Sequence, residues 1–500
     1  MESLVPLFVI VPLGVAFLVV ILAHVRPLRR VVGPLSFAAI LANAALAISV
    51  LGVEMAPLYV GKWNPDSVLG IAMVCDGLAK LMLVTINFVA AAALIYAGAY
   101  MRRFTKVWLF YALFLLMTGA MNAVVLAGDL FNMFVFLEIA AISSYALVAF
   151  GCESEELEAA FKYLIMGTVG SACILLGIAV LYSLTGQLNM AQVGGLLARG
   201  AGPAALFAAA ALLAGLALKA AMVPFHAWLP DAHPSAPAPI SAMLSGVLIK
   251  AIGVYALARI VFNVLGPTAE YSMILVVLGA ASMVIGVFLA VGQWDLKRLL
   301  AYHSISQMGY VVLALGVAAG LVAEGGSRSV AALCLLGGLF HMFNHAAFKS
   351  LLFLSSGSIE QQTGTRMLKQ MGGLKTRMPV TSFCCRIGAL SIAGVPPLNG
   401  FFSKLIIIVA LVLAGRPLLA GLAVLVALMT LVSFTKVQRY VLEGTPKPAA
   451  ALAREAPVMM CVALVFLALV CIGGGLALFP LREHLFGPAG EALLRGIGGP

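Results

Sequence analysis

The amino-acid sequence predicts an all-α integral membrane protein with about fourteen transmembrane helices. Hydrophobic residues make up 63% of the 500 positions and charged residues only 10%, and the mean hydropathy is +1.11. A water-soluble domain carries about 25% charged residues, so this chain has too few of them to cover a surface in water. The apolar residues also come in long runs, and a helix of about 20 such residues spans a bilayer. These observations exclude a secreted, a disordered and a nucleic-acid-binding protein.

Fourteen apolar runs predict the helices in chain order. The connections between them are short, and even the longest, near 54–70 and 357–378, are too short for a soluble domain. We therefore predict a single polytopic membrane domain over residues 1–500. The predicted spans lie near 4–24, 31–53, 71–100, 107–127, 130–150, 160–185, 203–223, 237–261, 272–293, 299–320, 330–356, 379–412, 417–441 and 457–480.

Proline interrupts the seventh and the twelfth predicted helix. Pro224 breaks the first of them, and Pro396 and Pro397 break the second. Proline removes a backbone donor, and the carbonyl groups that it frees need partners inside the protein. Two broken helices five spans apart predict two inverted five-helix repeats, residues 107–261 and 272–441, as is typical of transporters. The alternative is that Pro and Gly are simply commoner in membrane helices than in soluble ones.

Basic residues predict the orientation of the bundle. If both termini lie on one side, the loops on the opposite side hold most of the Lys and Arg residues found in loops. The positive-inside rule then places those loops in the cytoplasm and both termini outside.

The cysteines give no indication of a cofactor. The 8 Cys residues are scattered and form no CxxC pair, and the neighbouring Cys384 and Cys385 are poorly placed to chelate one metal together. This pattern disfavours a disulfide framework, a zinc site and an iron–sulfur cluster. We therefore expect no metal site and no cofactor in this chain, and we expect any redox group or nucleotide to be bound by a partner protein.

Seven charged residues lie within or close to the apolar spans. An ionised side chain at mid-bilayer costs about 2.5–3.5 kcal/mol, so each must pair, reach water or lose its charge, and proton transfer needs all three outcomes. The seven residues are Asp76, Lys80, Glu138, Lys219, Lys250, Lys349 and Lys404.

Three charged residues have a simpler interpretation. Asp76 and Lys80, at positions i and i+4, predict an ordinary ion pair, and Arg259 is expected to reach the membrane interface.

The deepest of these charges favour a role in proton transport. Glu138 lies well inside the fifth predicted helix and needs a positive partner, for which Lys219, one turn before the first break, is the candidate. A purely structural ion pair is the alternative for Glu138. Lys219 could also cap the free carbonyl groups of its broken helix, which is compatible with transport. Lys250, deep in the eighth span, and Lys404, just after the second break, complete this group.

Histidines extend the candidate site. His341, His345 and Lys349 fall at positions i, i+4 and i+8 of the eleventh predicted helix and therefore form one stripe. Histidine titrates near neutral pH, which suits a proton relay. Structural hydrogen bonding remains one alternative and a metal or haem another, although the adjacent lysine disfavours a metal. His303 and His226 are further candidate relay members, and His226 could instead bond to the freed backbone.

Long motifs carry a family resemblance. They are KAAMVPFHAWLPDAHPSAPAPISAMLSGVLIKAIGVYALAR, DLKRLLAYHSISQMGYV, FNHAAFKSLLFLSSGSI and GVPPLNGFFSK, which follow one another within residues 70–411. They resemble the antiporter-like subunits of respiratory complex I, of Mrp-type sodium/proton antiporters and of energy-converting membrane hydrogenases. GDLFNMFVFLE, AYHSIS and GFFSK are most similar to the Mrp D subunit and the hydrogenase-type relatives, whereas HAWLPDAHPSAPAP is closer to the complex I and hydrogenase subunits.

The resemblance implies fourteen helices, two inverted five-helix repeats and a polar axis through the middle of the membrane. In that axis Glu138 and Lys219 would be the acid–base pair, and Lys250 would be the linking lysine. His341, His345 and Lys349 would continue it, and Lys404 would end it.

The resemblance also implies the biological setting. It predicts a proton-translocating subunit of a multi-subunit complex in the cell inner membrane, with other membrane subunits and membrane lipid as partners and no nucleic acid. The complex would carry out Mrp-type sodium/proton antiport or redox-driven proton pumping. The alternatives are a pump subunit similar to subunits M and N of complex I, an organic-solute transporter, or a redox enzyme with its own cofactor.

Overall fold

The computed structural model describes residues 2–62, 70–200 and 202–495. These residues form sixteen main helices, which we number in chain order. They are α1 Glu2–His24, α2 Arg26–Ser49, α3 Gly77–Arg103, α4 Val107–Leu126, α5 Leu130–Val148, α6 Ser154–Thr185, α7 Pro203–Lys219, α8 Ala238–Leu265, α9 Ala269–Val291, α10 Leu296–Ala323, α11 Arg328–Thr363, α12 Pro379–Ala393, α13 Asn399–Leu413, α14 Pro417–Leu442, α15 Val458–Gly473 and α16 Leu478–Arg495.

Most of these helices can cross a membrane. Among the described residues, 11 are long and apolar enough to do so, or up to 12 if α15 and α16, which are bent by 81° relative to each other, form one span. Three further apolar helices, α7, α12 and α13, are shorter, with 10–17 residues each. The prediction of a mostly helical, multi-pass membrane protein is therefore confirmed.

Short elements occupy the connections. Two antiparallel strands, β1 (Leu58–Tyr59) and β2 (Ala72–Met73), pair Leu58 with Met73. Residues 63–69 of the predicted 54–70 connection lie outside the described residues, as do Met1, Ala201 and residues 496–500 of the predicted domain. The short helices are Met190–Leu197, Leu229–Ser235, Leu374–Arg377 and Pro448–Ala451.

Side-chain caps define the starts of several helices. The first amide groups of a helix have no partner inside it, and an Asp, Ser or Thr oxygen at the N-cap can accept from one of them. Asp129 accepts from the amide of Asn132 at the start of α5 (2.8 Å), and Asp295 accepts from Arg298 at the start of α10 (2.9 Å). These polar residues therefore mark where the chain enters each of the two helices.

The helices differ in how deeply they lie in the protein. The apolar stretch of α8 is completely buried, and those of α10 and α3 are 89% and 83% buried, whereas α1, α2 and α14 are at most one-third buried. The core is thus built around α3, α8 and α10. The exposed helices present apolar side chains to their surroundings, as expected for a protein in lipid.

Two connections have the same backbone hydrogen-bond pattern. Asp129 caps α5 and Asp295 caps α10. In each case the two residues next to the aspartate form backbone hydrogen bonds with a segment further along the chain, after α6 in the first case and after α11 in the second. The two segments also have similar sequences, TGQLNMAQVGGL at 185–196 and TGTRMLKQMGGL at 363–374. The four bonds, 2.9 to 3.0 Å long, run from Leu130 N to Leu188 O, Met190 N to Gly128 O, Leu296 N to Arg366 O and Leu368 N to Trp294 O.

The breaks at α7 and α12 also resemble each other. After α7, Ala221 has a φ of 48°, and the amide of Met222 donates back to the carbonyl of Ala217 (2.9 Å). After α12, Gly394 has a φ of 83°, and the amide of Val395 donates back to Leu390 (3.0 Å). Both helices thus end in a left-handed residue followed by a bond over five residues, a common helix terminus.

One predicted ion pair is wrong. Asp76 does not pair with Lys80; its carboxylate binds the guanidinium of Arg259 at 2.5 Å, and Lys80 donates to the carbonyl of Val53. The i, i+4 rule assumes that both residues are helical, but Asp76 is the N-cap of α3, with an extended backbone. Arg259 is only 2% exposed, so its guanidinium lies inside the protein; that it reaches the depth of the membrane interface stays a prediction.

Candidate functional site

Glu138 and Lys219 form an ion pair inside the helix bundle. Lys219 Nζ lies 2.7 Å from Glu138 Oε1, and the hydroxyl of Ser171 donates to the same oxygen. The lysine side chain is 10% exposed and the glutamate side chain is 26% exposed. The structure therefore brings together the acid and the base that the sequence singles out, and it adds a serine on α6 that the sequence analysis did not consider.

Close packing of α6 and α7 brings these groups together. A Cβ atom on Gly215 of α7 would lie only 2.6 Å from the carbonyl oxygen of Gly170 on α6. Only glycine allows two helix backbones to approach so closely. Because Ser171 follows Gly170 directly and Lys219 lies one turn after Gly215, this contact holds both side chains next to Glu138.

Lys250 binds the end of the broken helix α7. Its ammonium group donates to the carbonyls of Ala220 (2.7 Å) and Ala221 (3.2 Å), which follow Lys219 directly. A helix C-terminus carries partial negative charge on such free carbonyl groups, and Lys250 is completely buried against them. Lys250 lies in a π-helical segment, Leu244–Ile252, and segments of this kind are frequent at functional sites.

Lys404 likewise binds a free carbonyl group at the end of a broken helix, here α12. Its ammonium donates to the carbonyl of Ile392 (2.7 Å), one residue before the end of α12, and lies 5.1 Å from the centre of the Tyr310 ring. A Cβ atom on Gly394 would lie 3.1 Å from the Lys404 side chain. The glycine therefore supplies both the left-handed turn and the space that the lysine occupies.

Lys349 lies between these two regions. It is completely buried, and it donates to the carbonyl of Leu300 on α10 (2.5 Å), which also accepts from the hydroxyl of Ser304 (3.0 Å). Ser304 in turn shares a hydrogen bond of 2.6 Å with Ser245 on α8. In the part of the chain that the structure describes, neither Lys349 nor Lys250 nor Lys404 forms an ion pair.

The predicted histidines lie along the same region. His341 shares a hydrogen bond of 2.9 Å with Ser403 on α13, and His303 shares one of 2.8 Å with Ser433 on α14. His345 is fully buried, and neither of its ring nitrogens has a hydrogen-bond partner among the described residues. His226 is only partly buried and lies against the backbone of Pro224. Buried nitrogens without protein partners are sites where water molecules commonly bind.

His233 is a member of this cluster that the sequence analysis missed. It is fully buried, and both ring nitrogens lack a partner within the described residues. It lies within electrostatic range of Lys250 and Lys349. Its segment, LPDAHPS, contains two prolines and looks like an exposed loop, so only the signature motif around it could have indicated the histidine.

Several of the buried groups lie close enough to influence one another electrostatically. Lys250 lies within range of Lys349, and His345 lies within range of both lysines. His303 lies within range of Lys349 and Lys404. These interactions link charged and titratable side chains on α8, α10, α11 and α13.

A charged cavity opens near the Lys250 end. It has a volume of about 270 Å³, and its lining includes Arg103, Glu155, Lys297, Glu360 and Arg366. Lys297 is 2% exposed and pairs with Glu360 at 2.9 Å, and it lies within electrostatic range of His233. Lys297 was not among the predicted site residues because it neighbours Arg298 at a helix start, where basic residues are usually exposed.

Metal ligands are not grouped in the described structure. Within residues 2–62, 70–200 and 202–495, no three or more His, Cys, Asp or Glu side chains are arranged to hold a metal ion. In particular, His341 shares its hydrogen bond with Ser403 of α13, and the ring nitrogens of His345 have no partner among the described residues. The arrangement of the buried groups suits the movement of protons between bases.

The fold and the buried bases define the class of antiporter-like membrane subunits. A family described as "NADH:quinone oxidoreductase/Mrp antiporter, TM" matches residues 127–430, and the chain belongs to this family. The resemblance seen in the motifs is thereby confirmed.

Individual relatives cover nearly the whole chain. NADH-quinone oxidoreductase subunit N of Desulforudis audaxviator is 38% identical over 461 residues, 90% of this chain and 89% of the relative. The D subunit of the Na(+)/H(+) antiporter of Alkalihalophilus pseudofirmus is 33% identical, over 89% of this chain and 88% of the relative. A chain of the Mrp complex from Dietzia sp. DQ12-45-1b superposes with a TM-score of 0.89 at 29% identity, covering 99% of this chain and 97% of that one.

Proposed function

We propose that this chain is the proton-translocating, antiporter-like subunit of a multi-subunit membrane complex. The observation that carries the proposal is the Glu138–Lys219 ion pair (2.7 Å) next to a chain of fully buried lysines and histidines. Burying ionisable groups is costly, and inside a membrane such groups usually mark an ion pathway. The relatives support the setting, because they include a subunit of a sodium/proton antiporter and a chain of an Mrp complex.

The pathway would work by changing the charge on successive bases. A proton taken up near the charged cavity reaches Lys250 by way of His233. Opening the Glu138–Lys219 pair destabilises the Lys219 ammonium, and the resulting repulsion moves protons towards Lys349 and Lys404. At an effective dielectric constant near 20, an ion pair at 4 Å is worth about 4 kcal/mol. Moving one charge against 100 mV takes about 2.3 kcal/mol, so one pair is sufficient to drive one proton.

The two halves of the chain would be inverted repeats, residues 107–261 (α4–α8) and 272–441 (α9–α14). The matching bonds around Asp129 and Asp295 and the matching ends of α7 and α12 support this arrangement. If α12 and α13 form one broken span, and α7 and the bent α15–α16 pair count as one span each, the total is fourteen. In that count α10 is the fifth span after α5, and because successive spans alternate in direction, the two repeats have opposite orientations.

We also propose an orientation in the cell inner membrane. The charged cavity and the basic loops would face the cytoplasm, and both termini would lie outside. Ion pairs between residues distant in sequence support the placing of the basic loops on one side of the membrane. Lys162 and Arg298 both bind Asp231, and Arg366 binds Asp295.

The site is compatible with two energy sources, a sodium gradient and electron transfer. Redox-driven pumping is a second candidate function because the chain is 38% identical to an NADH-quinone oxidoreductase subunit. The test uses inverted membrane vesicles that contain the native complex and a fluorescent pH indicator. A pulse of sodium would raise the internal pH in the case of antiport, and an electron donor would lower it in the case of redox pumping.

The control is a strain that lacks this chain and in which the remaining subunits are still present. We expect one of the two treatments to give a pH change that disappears in the control. If neither treatment gives a pH change that depends on the chain, the proposed function is wrong. If one treatment does give such a change, the subunit composition of the purified complex identifies the energy source independently.

A further inference from the structure

One cleft of the protein is lined by none of the buried lysines and histidines described above. It has a volume of about 520 Å³ and opens between the start of α2 and the start of α4. Its lining is mostly apolar but contains two cations, and it consists of Arg29, Val32, Gly33, Lys106, Val107, Trp108 and Tyr111.

The cations of this cleft are not neutralised by a carboxylate in the part of the chain that the structure describes. Arg29 and Lys106 are exposed, and neither forms an ion pair within the described residues. The sequence offers none nearby either, since no Asp or Glu occurs between Glu2 and Glu54 or between Asp76 and Asp129. Some exposed basic residues do pair, as Lys162 and Arg298 do with Asp231, and others, such as Arg199 and Arg482, form no ion pair among the described residues. An anion that enters this cleft would therefore meet two cations that no carboxylate of the described residues neutralises.

The position of the cleft matches the phosphate level of a bilayer. Lys106 directly precedes the apolar span of α4, and Arg29 lies between the apolar stretches of α1 and α2. Trp108 and Tyr111 lie in the first turns of α4, and Trp and Tyr are enriched where membrane meets water. Lys106 also has a φ of 51°, which is uncommon for a residue with a side chain and is more frequent at functional sites.

We propose that this cleft binds an anionic phospholipid. Arg29 and Lys106 bind its phosphate, and the apolar wall with Trp108 and Tyr111 lies along the start of its acyl chains. Basic pockets between membrane helices are suited to such headgroups. The apolar wall distinguishes this ligand from a soluble anion, which would gain nothing from it.

The test measures quenching of Trp108 by brominated lipids in the intact complex reconstituted into phosphatidylcholine vesicles. The signal of Trp108 is the difference between this complex and one that carries Trp108→Phe. Brominated phosphatidylglycerol should quench it at low mole fraction, and brominated phosphatidylcholine only at high mole fraction. In the double variant Arg29→Gln/Lys106→Gln, half-quenching should need about thirtyfold more phosphatidylglycerol, because each basic residue near an anionic surface contributes about a fivefold factor.

The matched control is the double variant Arg199→Gln/Arg482→Gln, which removes two other exposed arginines and should leave quenching unchanged. Native gels check that each variant complex assembles. Equal quenching by the two lipids, or an unchanged response in Arg29→Gln/Lys106→Gln, would overturn the proposal. If neither lipid reaches Trp108 in the complex, a partner subunit covers the cleft, and the lipid site is equally refuted.

Discussion

Replacing Glu138 by Gln is expected to reduce proton translocation by the assembled complex to below about a tenth of the wild-type rate. Glutamine has nearly the shape of glutamate but no charge, so Lys219 loses the only carboxylate within ion-pair distance among the described residues. A pair worth about 4 kcal/mol at an effective dielectric constant near 20 then no longer contributes to the cycle. Lys219→Ala should have the same effect from the other side of the pair. The measurement is the rate of pH change in inverted vesicles, per assembled complex.

The matched control for this prediction is Glu158→Gln. Glu158 also pairs with a lysine, Lys162 at 2.7 Å, but its side chain is 66% exposed and lies outside the buried chain of bases. The same chemical change there should leave the rate close to wild type, because exposed pairs contribute at most about 1 kcal/mol. Wild-type rates in both Glu138→Gln and Lys219→Ala complexes would refute the role of the pair.

The second large effect concerns stability rather than transport. Asp76→Ala should lower the free energy of unfolding by about 3–5 kcal/mol, because it leaves a buried guanidinium without its counter-charge. Arg259 is 2% exposed and lies 2.5 Å from Asp76, and its other bonds go to neutral groups, the hydroxyl of Tyr255 (3.0 Å) and the amide oxygen of Asn263 (3.1 Å). Neither group can replace a carboxylate. The measurement is unfolding of the detergent-solubilised protein by sodium dodecyl sulfate.

This experiment needs a compensating substitution and a control at an exposed ion pair. Adding Arg259→Leu to Asp76→Ala should restore part of the lost stability, since the unpaired charge is then gone. Glu491→Ala, which removes the partner of Arg328 in a pair with 65% and 39% exposed side chains, should cost less than about 1 kcal/mol. If Asp76→Ala costs no more than Glu491→Ala, the buried pair does not stabilise the protein as described.

Residues that are costly in lipid were predictable from the sequence. Five residues stand out because each interrupts an apolar run: Glu138, Lys219, Lys250, Lys349 and Lys404. The structure buries the last three and leaves the Glu138–Lys219 pair partly exposed. The class of the fold was predictable for the same reason, since long apolar runs joined by short connections are typical of membrane-spanning helices. Both signals depend only on local sequence.

The partners of these residues depend on the tertiary structure and were less predictable. A buried lysine suggests a carboxylate partner, yet Lys250 and Lys404 donate to carbonyl groups that the two helix breaks set free, at Ala220 and Ile392. No sequence pattern identifies which distant backbone group a lysine will reach. His233 was missed for a similar reason: its burial results from packing against α11, where its ring lies 5.0 Å from that of Phe353.

The central claim is that the buried bases form one continuous pathway for protons, and Lys349 is the residue that joins its two ends. The most direct measurement is the proton flux through complexes that carry Lys349→Met, compared with Lys375→Met, which changes an exposed lysine in the same way. We expect the flux to be lost in the first variant and retained in the second, with both complexes fully assembled. A wild-type flux in the Lys349→Met complex would contradict it.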